Sequence, residues 1–287
     1  TIYNSYQRVN WSTANTWTTD PAGTTLLGPA VPTNNDQAVI LAGRTVTLTA
    51  NVATTGHSIN INSGGVLDIS TFTITTLTLL EGEGTLRIAA SYFPTVTTNT
   101  FITAAGGTVE YYNFGAPTTL PTSPTTYYHL SLSNSTGTNY TMNLTFSGNV
   151  TIGASCTMAI GSSSIALHAI TIYGNFTING TVDLNNNADY AVNTLGAASL
   201  TFMGLSDNTV SINSVNTSFY SFIVNKGVDQ TFTLSVTATV ATSPFDGRNG
   251  NNMVTLTKGT LRLGSNITVP QLNVACQNYD ISTAQDV

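Results

Sequence analysis

A right-handed parallel β-helix with an N-terminal cap is the fold that this sequence predicts. Three observations carry the prediction. The first is a recurring pentapeptide: Gly65-Val-Leu-Asp-Ile69, Gly84-Thr-Leu-Arg-Ile88, Gly107-Thr-Val-Glu-Tyr111, Gly180-Thr-Val-Asp-Leu184 and Gly259-Thr-Leu-Arg-Leu263. A sister pattern appears at Gly148-Asn-Val-Thr-Ile152 and Gly174-Asn-Phe-Thr-Ile178. The second is spacing. The first three pentapeptides begin 19 and 23 residues apart, and the sister pair 26 apart. The third is strict alternation between these copies, as in Arg44-Thr-Val-Thr-Leu-Thr49, Thr71-Phe-Thr-Ile-Thr75, His129-Leu-Ser-Leu-Ser133, Ala169-Ile-Thr-Ile172 and Thr231-Phe-Thr-Leu-Ser235.

Each element follows from local chemistry. A glycine at position one supplies a turn that β-branched residues disfavour. Positions three and five then share one face of a strand, and the charged position four points the other way, toward water. A strand with one apolar face cannot bury it alone, but stacked copies bury a continuous column. A repeat of about 22 residues divides the chain into roughly 12 coils, each rising by the ordinary strand spacing of about 4.8 Å. Two packed antiparallel sheets would also accept alternating strands, but they do not require a unit recurring at coil spacing.

The ends differ. Residues 1–36 hold Trp11, Trp17, Tyr3, Tyr6, Pro21, Pro29 and Pro32, and alternation breaks down there. An open first coil offers unpaired edges to other chains, so this segment is read as a cap over the core, with residues 37–287 as the β-helix. Alternation still runs at Leu272, Val274 and Cys276, and the expectation is that the helix continues in a longer protein. The stretch from Phe114 to Thr126, with Pro117, Pro121 and Pro124, reads as a loop protruding from the stack.

Composition excludes several functions. Only 7% of the 287 residues are charged, and 13 acids against seven bases give a net charge of −6. So few cations cannot neutralise many phosphates, which argues against nucleic acid as a partner. No run approaches the apolar length of a transmembrane helix. Thr is the commonest residue, with Asn, Ser, Gly and Val close behind, which is strand-and-turn chemistry. The low charge and the Thr/Asn/Ser surface suit an extracellular protein, and no signal-peptide pattern opens the chain. Cys156 and Cys276 each fall on the apolar side of an alternating run and read as buried thiols, with a single long-range bridge as the alternative. Asn-x-Ser/Thr triplets at Asn10, Asn134, Asn139, Asn143, Asn149, Asn175 and Asn179 are what a chain rich in these residues produces by chance.

The search for chemistry yields no catalytic, cofactor-binding or metal-ligating residue, and no cofactor is expected. Zinc-protease, Cys-x-x-Cys, nucleophile-elbow and phosphate-loop motifs are missing from the sequence. Glu81 and Glu83 in Glu81-Gly-Glu-Gly84 could hold a hard cation, but a solvated turn is the plainer reading. His57, His129 and His168 are scattered and read as structural. Asp183, Asp189, Asp246 and Arg248 fall in turns or at outward positions. Many parallel β-helices cleave acidic polysaccharides, which takes cations for the uronates and carboxylates or metal for proton abstraction. Arg87 and Arg262 occupy the same slot in two distant copies, so they look like repeat positions, and the protein is expected not to be an enzyme. The Thr-x-Thr runs could bind ice or a crystalline polymer, but those runs do not recur coil after coil. If the chain binds a glycan, Tyr111, Tyr112, Tyr127 and Tyr128 are the candidate exposed contacts.

The residues also carry a resemblance. Trp11-Ser-x4-Trp17, then Pro32, Asp36, Ala38-Val-Ile-Leu41 and Thr45-Val-Thr-Leu48, resemble the opening of large secreted proteins of Bacteroidetes exported by the type IX secretion system. Phe219-Tyr-Ser-Phe-Ile-Val-Asn-Lys-Gly227, Thr231-Phe-Thr-Leu234 and Val254-Thr-Leu-Thr-Lys-Gly-Thr-Leu-Arg-Leu-Gly-Ser-Asn266 are similar to their β-helical repeats. The nearest functional analogues are the SprB-type gliding adhesins, though the sorting domain typical of that export route is not found in this sequence. The resemblance implies a non-enzymatic adhesin or stalk segment at the cell surface, associated with the outer membrane and acting in gliding or attachment. It implies the secretion machinery and outer-membrane anchoring proteins as partners. A carbohydrate-binding or polysaccharide-degrading β-helix is the alternative, and an ice-binding solenoid a lesser one.

Overall fold

The computed structural model describes residues 1–113, 118–134, 138–140, 142–160, 167–185, 196–245, 252–269 and 278–281. Among these the chain is all-β, with one 3-10 turn at Ala14–Thr16. Nearly every strand pair is parallel, as a β-helix requires. The chain divides into two compact units: Thr1–Tyr112 with Thr126–Leu130, and Asn113–Thr125 with Ser131–Val287.

The first unit stacks two parallel sheets. One runs Ile2–Ser5, Gln37–Ile40, Val52–Ile61, Ile74–Glu81, Thr95–Asn99, and the other Thr45–Thr47, Val66–Ser70, Thr85–Ile88, Thr108–Tyr112. Pairing is in register, with Leu67 opposite Leu86 and Leu86 opposite Val109. Position three of the pentapeptides therefore forms a column with Val46, in which Val46, Leu67, Leu86 and Val109 are all buried; Ile69, Ile88 and Tyr111 are buried too, although a bulge after Asp68 sets Ser70 rather than Ile69 opposite Ile88. Ala38, Ile59 and Leu80 form a matching column on the other sheet.

Gly259 takes the left-handed backbone expected of a turn, but three other pentapeptide glycines serve a different purpose. At Gly84, Gly107 and Gly180 the backbone angles are ordinary, but a Cβ would lie 2.6 Å from Gly65 O, 2.7 Å from Gly84 O and 2.2 Å from Cys156 O respectively. No side chain can enter a gap that narrow. Glycine is required because successive coils touch backbone to backbone at this corner.

Residues 1–36 contribute strands of their own. Ile2–Ser5 pairs in parallel with Gln37–Ile40 and antiparallel with Trp17–Thr18, so this segment adds a rung to the sheet. Both tryptophans are buried, their rings edge to face at 4.9 Å, and Trp17 Nε1 donates to Trp11 O at 2.8 Å. Trp11 also meets His57 edge-on at 5.8 Å. Asp20 organises the connecting loop by accepting from the backbone N–H of Ala22, Thr24 and Thr25, which lowers its pKa.

The second unit has three sheets. Val150–Ile152, Phe176–Ile178, Asn208–Ile212, Thr233–Ala238 and Thr260–Leu263 form one. Thr118–Thr119, Thr138–Tyr140, Thr157–Ile160, Thr181–Asp183 and Thr217–Ser218 form the second. Leu144–Phe146, Leu167–Ile172, Ala197–Gly204, Ser221–Lys226, Asn252–Lys258 and Asn278–Ile281 form the third. Thr118–Thr119 is a correction to the expected protruding loop. It is a strand, and Leu120 beside it is buried; residues 114–117 lie outside the described residues. With three strands per turn, in-register partners on neighbouring coils lie 20 to 35 residues apart, most of them further apart than about 22. The expectation of roughly 12 coils, based on the shorter spacing, is therefore too high. Phe146, Ile172, Phe202 and Val224 form one buried column, and Phe202, Phe219 and Phe245 pack around Phe222. Cys156, Met158 and Ile160 are buried together as their alternation requires, while Cys276 lies outside the described residues.

Candidate functional sites

Position four of the pentapeptide faces water at Arg262 but not simply so in the first unit. Asp68, Arg87 and Glu110 stand opposite one another on successive strands. Arg87 Nε donates to Glu110 Oε2 at 2.9 Å and its Nη1 to Asp68 Oδ2 at 3.3 Å. Tyr112 closes the group: its hydroxyl donates to Asp68 Oδ1 at 2.7 Å, and the Arg87 guanidinium lies 4.1 Å from its ring centre. Burial, with the neighbouring Asp68 carboxylate, raises the Tyr112 pKa. Asp68 is left 8% exposed beneath this cover. Few charges are present, and here they hold coil to coil.

The glycan-contact expectation needs correction for two of its four tyrosines. Tyr111 and Tyr127 are fully buried, edge to face at 6.4 Å, because both fall on the inward phase of their strands. Burial raises both hydroxyl pKa values, that of Tyr127 to about 12. Tyr112 and Tyr128 are half-buried. Tyr128 borders an open depression of about 350 Å³ with Ser63, Glu83 and His129, and its ring centre lies 4.3 Å from that of His129. Glu81 instead accepts from Asn60 Nδ2 at 3.0 Å, so the two carboxylates of the Glu81–Gly84 turn do different work. His57 and His168 are buried, and burial lowers the pKa of each. Asp183 accepts from the Asn185 N–H. Asp189, Asp246 and Arg248 lie outside the described residues. Among the described residues no group of three or more His, Cys, Asp or Glu is placed to hold a metal, and no helix is long and apolar enough to cross a membrane.

Three features are not apparent from motifs. The first is a set of asparagine ladders. Asn149 Oδ1 accepts from the Asn175 N–H, and Asn175 Oδ1 from the Thr209 N–H, each at 2.8 Å. Asn179 Oδ1 accepts from Asn213 Nδ2, and Asn213 Oδ1 from the Thr239 hydroxyl. Asn143 serves the Ala169 N–H in the same way. Residues that look like chance glycosylation triplets thus carry coil-to-coil hydrogen bonds.

The second feature is a hydroxyl lattice. On one sheet of the second unit Thr151, Thr177, Ser211 and Thr237 stand in register. Two residues away, Asn149, Asn175, Thr209 and Ser235 make a parallel polar column. On another sheet Thr145, Thr171 and Thr201 align. The Thr-x-Thr runs noticed in the sequence do not: Thr45 and Thr47 stand opposite Val66 and Asp68. The rows arise from one hydroxyl per coil, which only the register reveals. A further polar depression of about 400 Å³ in the same unit is lined by Thr181, Asp183, Asn185, Asn216, Thr217 and Ser218, among others.

The third feature is Lys226, which is fully buried. Alternation through Phe222, Val224 and Lys226 puts it on the inner face, a signal available in the sequence. Its Nζ donates to Met203 O at 3.1 Å and to Asn208 Oδ1. No family model, curated protein or solved structure matches this chain.

Proposed function

We propose that the chain is a non-enzymatic segment of a secreted, cell-surface β-solenoid, associated with the outer membrane, whose work is adhesion or attachment. The observation that carries this reading is the in-register polar lattice of the second unit. Columns two residues apart along a strand are separated by about 7 Å, and neighbours within a column by about 4.8 Å. A rigid array of hydroxyl and amide groups at fixed spacing, uncharged as far as Arg262 opposite Ser235, suits a repetitive neutral surface such as a polysaccharide. Each contact is weak, but repetition raises the overall affinity. The charged side chains support the same reading, since Asp68, Arg87, Glu110 and Glu81 are engaged within the stack.

The test is retention of the full chain on insoluble neutral polysaccharides, compared with Thr177→Glu and Thr171→Glu variants. Retention by the wild type and release by the variants is the expected result. Retention unaffected by both variants, or new unsaturated sugar ends appearing during incubation, contradicts the reading. Inhibition of ice recrystallisation without polysaccharide binding would assign the lattice to ice.

A second reading rests on the depression lined by Thr181, Asp183, Asn185, Asn216, Thr217 and Ser218. Its hydroxyl, amide and carboxylate side chains suit a soluble oligosaccharide, and Asp183→Ala together with Asn216→Ala tests it by loss of glycan binding while the lattice remains intact.

A further inference from the structure

Lys226 presents an energetic problem. It is fully buried, and among the described residues no carboxylate lies within ion-pair distance of it. A buried ammonium without a counter-charge is among the costliest groups a core can hold. Its surroundings make the burial tight: a Cβ at Gly259 would lie 2.9 Å from Lys226 Cβ, and Gly227 and Gly259 both adopt left-handed backbone angles beside it. Burial lowers the lysine pKa, and the Asp207 charge partly offsets this. A neutral amine is the nucleophilic form of lysine.

What faces the amine is a carboxamide. Nζ lies 2.5 Å from Asn208 Oδ1, and its second contact, to Met203 O, fixes its direction. Asn208 is itself 8% exposed, so water has little access to either group. The two residues belong to successive coils. Lys226 stands opposite Gly204 on the third sheet, and Asn208 follows Gly204 around the corner into the first.

We propose that Lys226 and Asn208 form an isopeptide cross-link between successive coils of the second unit. Once deprotonated, Nζ adds to Asn208 Cγ and forms a C–N bond. The Cγ–Nδ2 bond breaks, a proton from Nζ moves to the departing nitrogen, and ammonia leaves. Nothing is oxidised or reduced, and no further reactant is consumed. The product replaces a buried ionisable group with a neutral amide. It also closes an 18-residue loop covalently at a corner, so the coil cannot be peeled away under load. This inference is independent of what the polar lattice binds.

Intact mass and peptide mapping of the folded full chain test it. The expected mass is lower than the sequence mass by one ammonia, with a branched peptide joining the segments around Lys226 and Asn208, and Lys226→Gln restores the missing ammonia. The sequence mass in aged, folded wild-type protein overturns the proposal. So does an ammonia loss that persists in Lys226→Gln, as cyclisation at Asn179-Gly180 would give. If Lys226→Gln fails to fold, the wild-type peptide map decides alone: a linear peptide that cleaves normally after Lys226 overturns the cross-link.

Discussion

Replacing Leu86 with Asp asks the stack to bury a carboxyl where it now buries a methyl-rich side chain. Leu86 is 1% exposed and stands in register between Leu67 and Val109. Removing a buried leucine costs about 2–5 kcal/mol in cavity and transfer terms. An unpaired polar group adds a few more, even when protonated, because Arg87 points to the opposite face. A total of roughly 4 kcal/mol or more is expected, and at about 2–4 °C per kcal/mol this lowers the unfolding midpoint by about 10 °C or more. Circular dichroism on heating reads it, starting from a β-type spectrum. Thr85→Asp, one residue away on the outward phase, is the control and is expected to cost under about 1 kcal/mol. A Leu86→Asp midpoint within about 2 °C of wild type, or equal losses from the two variants, would refute the inward column.

Other perturbations probe other parts of the account. Val182→Asp applies the same test in the second unit, where Val182 is fully buried and stands opposite Met158. Arg87→Met removes both ion pairs, but the Arg87 side chain is 31% exposed; the cost is expected to be about 1 kcal/mol or less and to shrink with added salt, as denaturant titration would read. Asn175→Ala breaks one ladder step and is expected to cost about 1 kcal/mol, against nothing measurable if its side chain were merely solvated. The pKa of His57 is lowered from 6.5 by burial, so the unfolded chain takes up a proton before the folded one does. Stability is then complete above the unfolded value and is lost as pH falls through the lower folded value. His168 acts in the same direction. The unfolding midpoint should fall on acidification below about pH 6.5, and less so in His57→Phe; a midpoint that rises there contradicts the burial of His57.

The fold was legible because its signal is periodic. Gly65, Gly84 and Gly107 mark one corner, and Leu67, Leu86 and Val109 mark one inward column, so spacing and alternation suffice to place them. What escaped depends on register between coils, which no single strand encodes. The pairing of Arg87 with both Asp68 and Glu110 needs residues 19 and 23 positions away to arrive side by side. The same is true of the asparagine ladders and the hydroxyl columns. Tyr111 and Tyr127 were misjudged for a different reason: aromatic residues with a polar tip are at home on either face, and strand phase decided in favour of the core. Lys226 is legible by phase alone, against the rule that lysine is rarely buried.

The most direct test of the account is a cysteine pair placed across two coils. In a background with Cys156→Ala and Cys276→Ser, Thr171→Cys with Thr201→Cys should form a disulfide readily under mild oxidation, because the two positions are in-register neighbours at a Cα separation of about 4.8 Å, within disulfide reach. Thr171→Cys with Thr237→Cys, whose positions lie on different sheets, should not. A Thr171/Thr201 pair that stays reduced, or two pairs that oxidise equally fast, would contradict parallel in-register coiling.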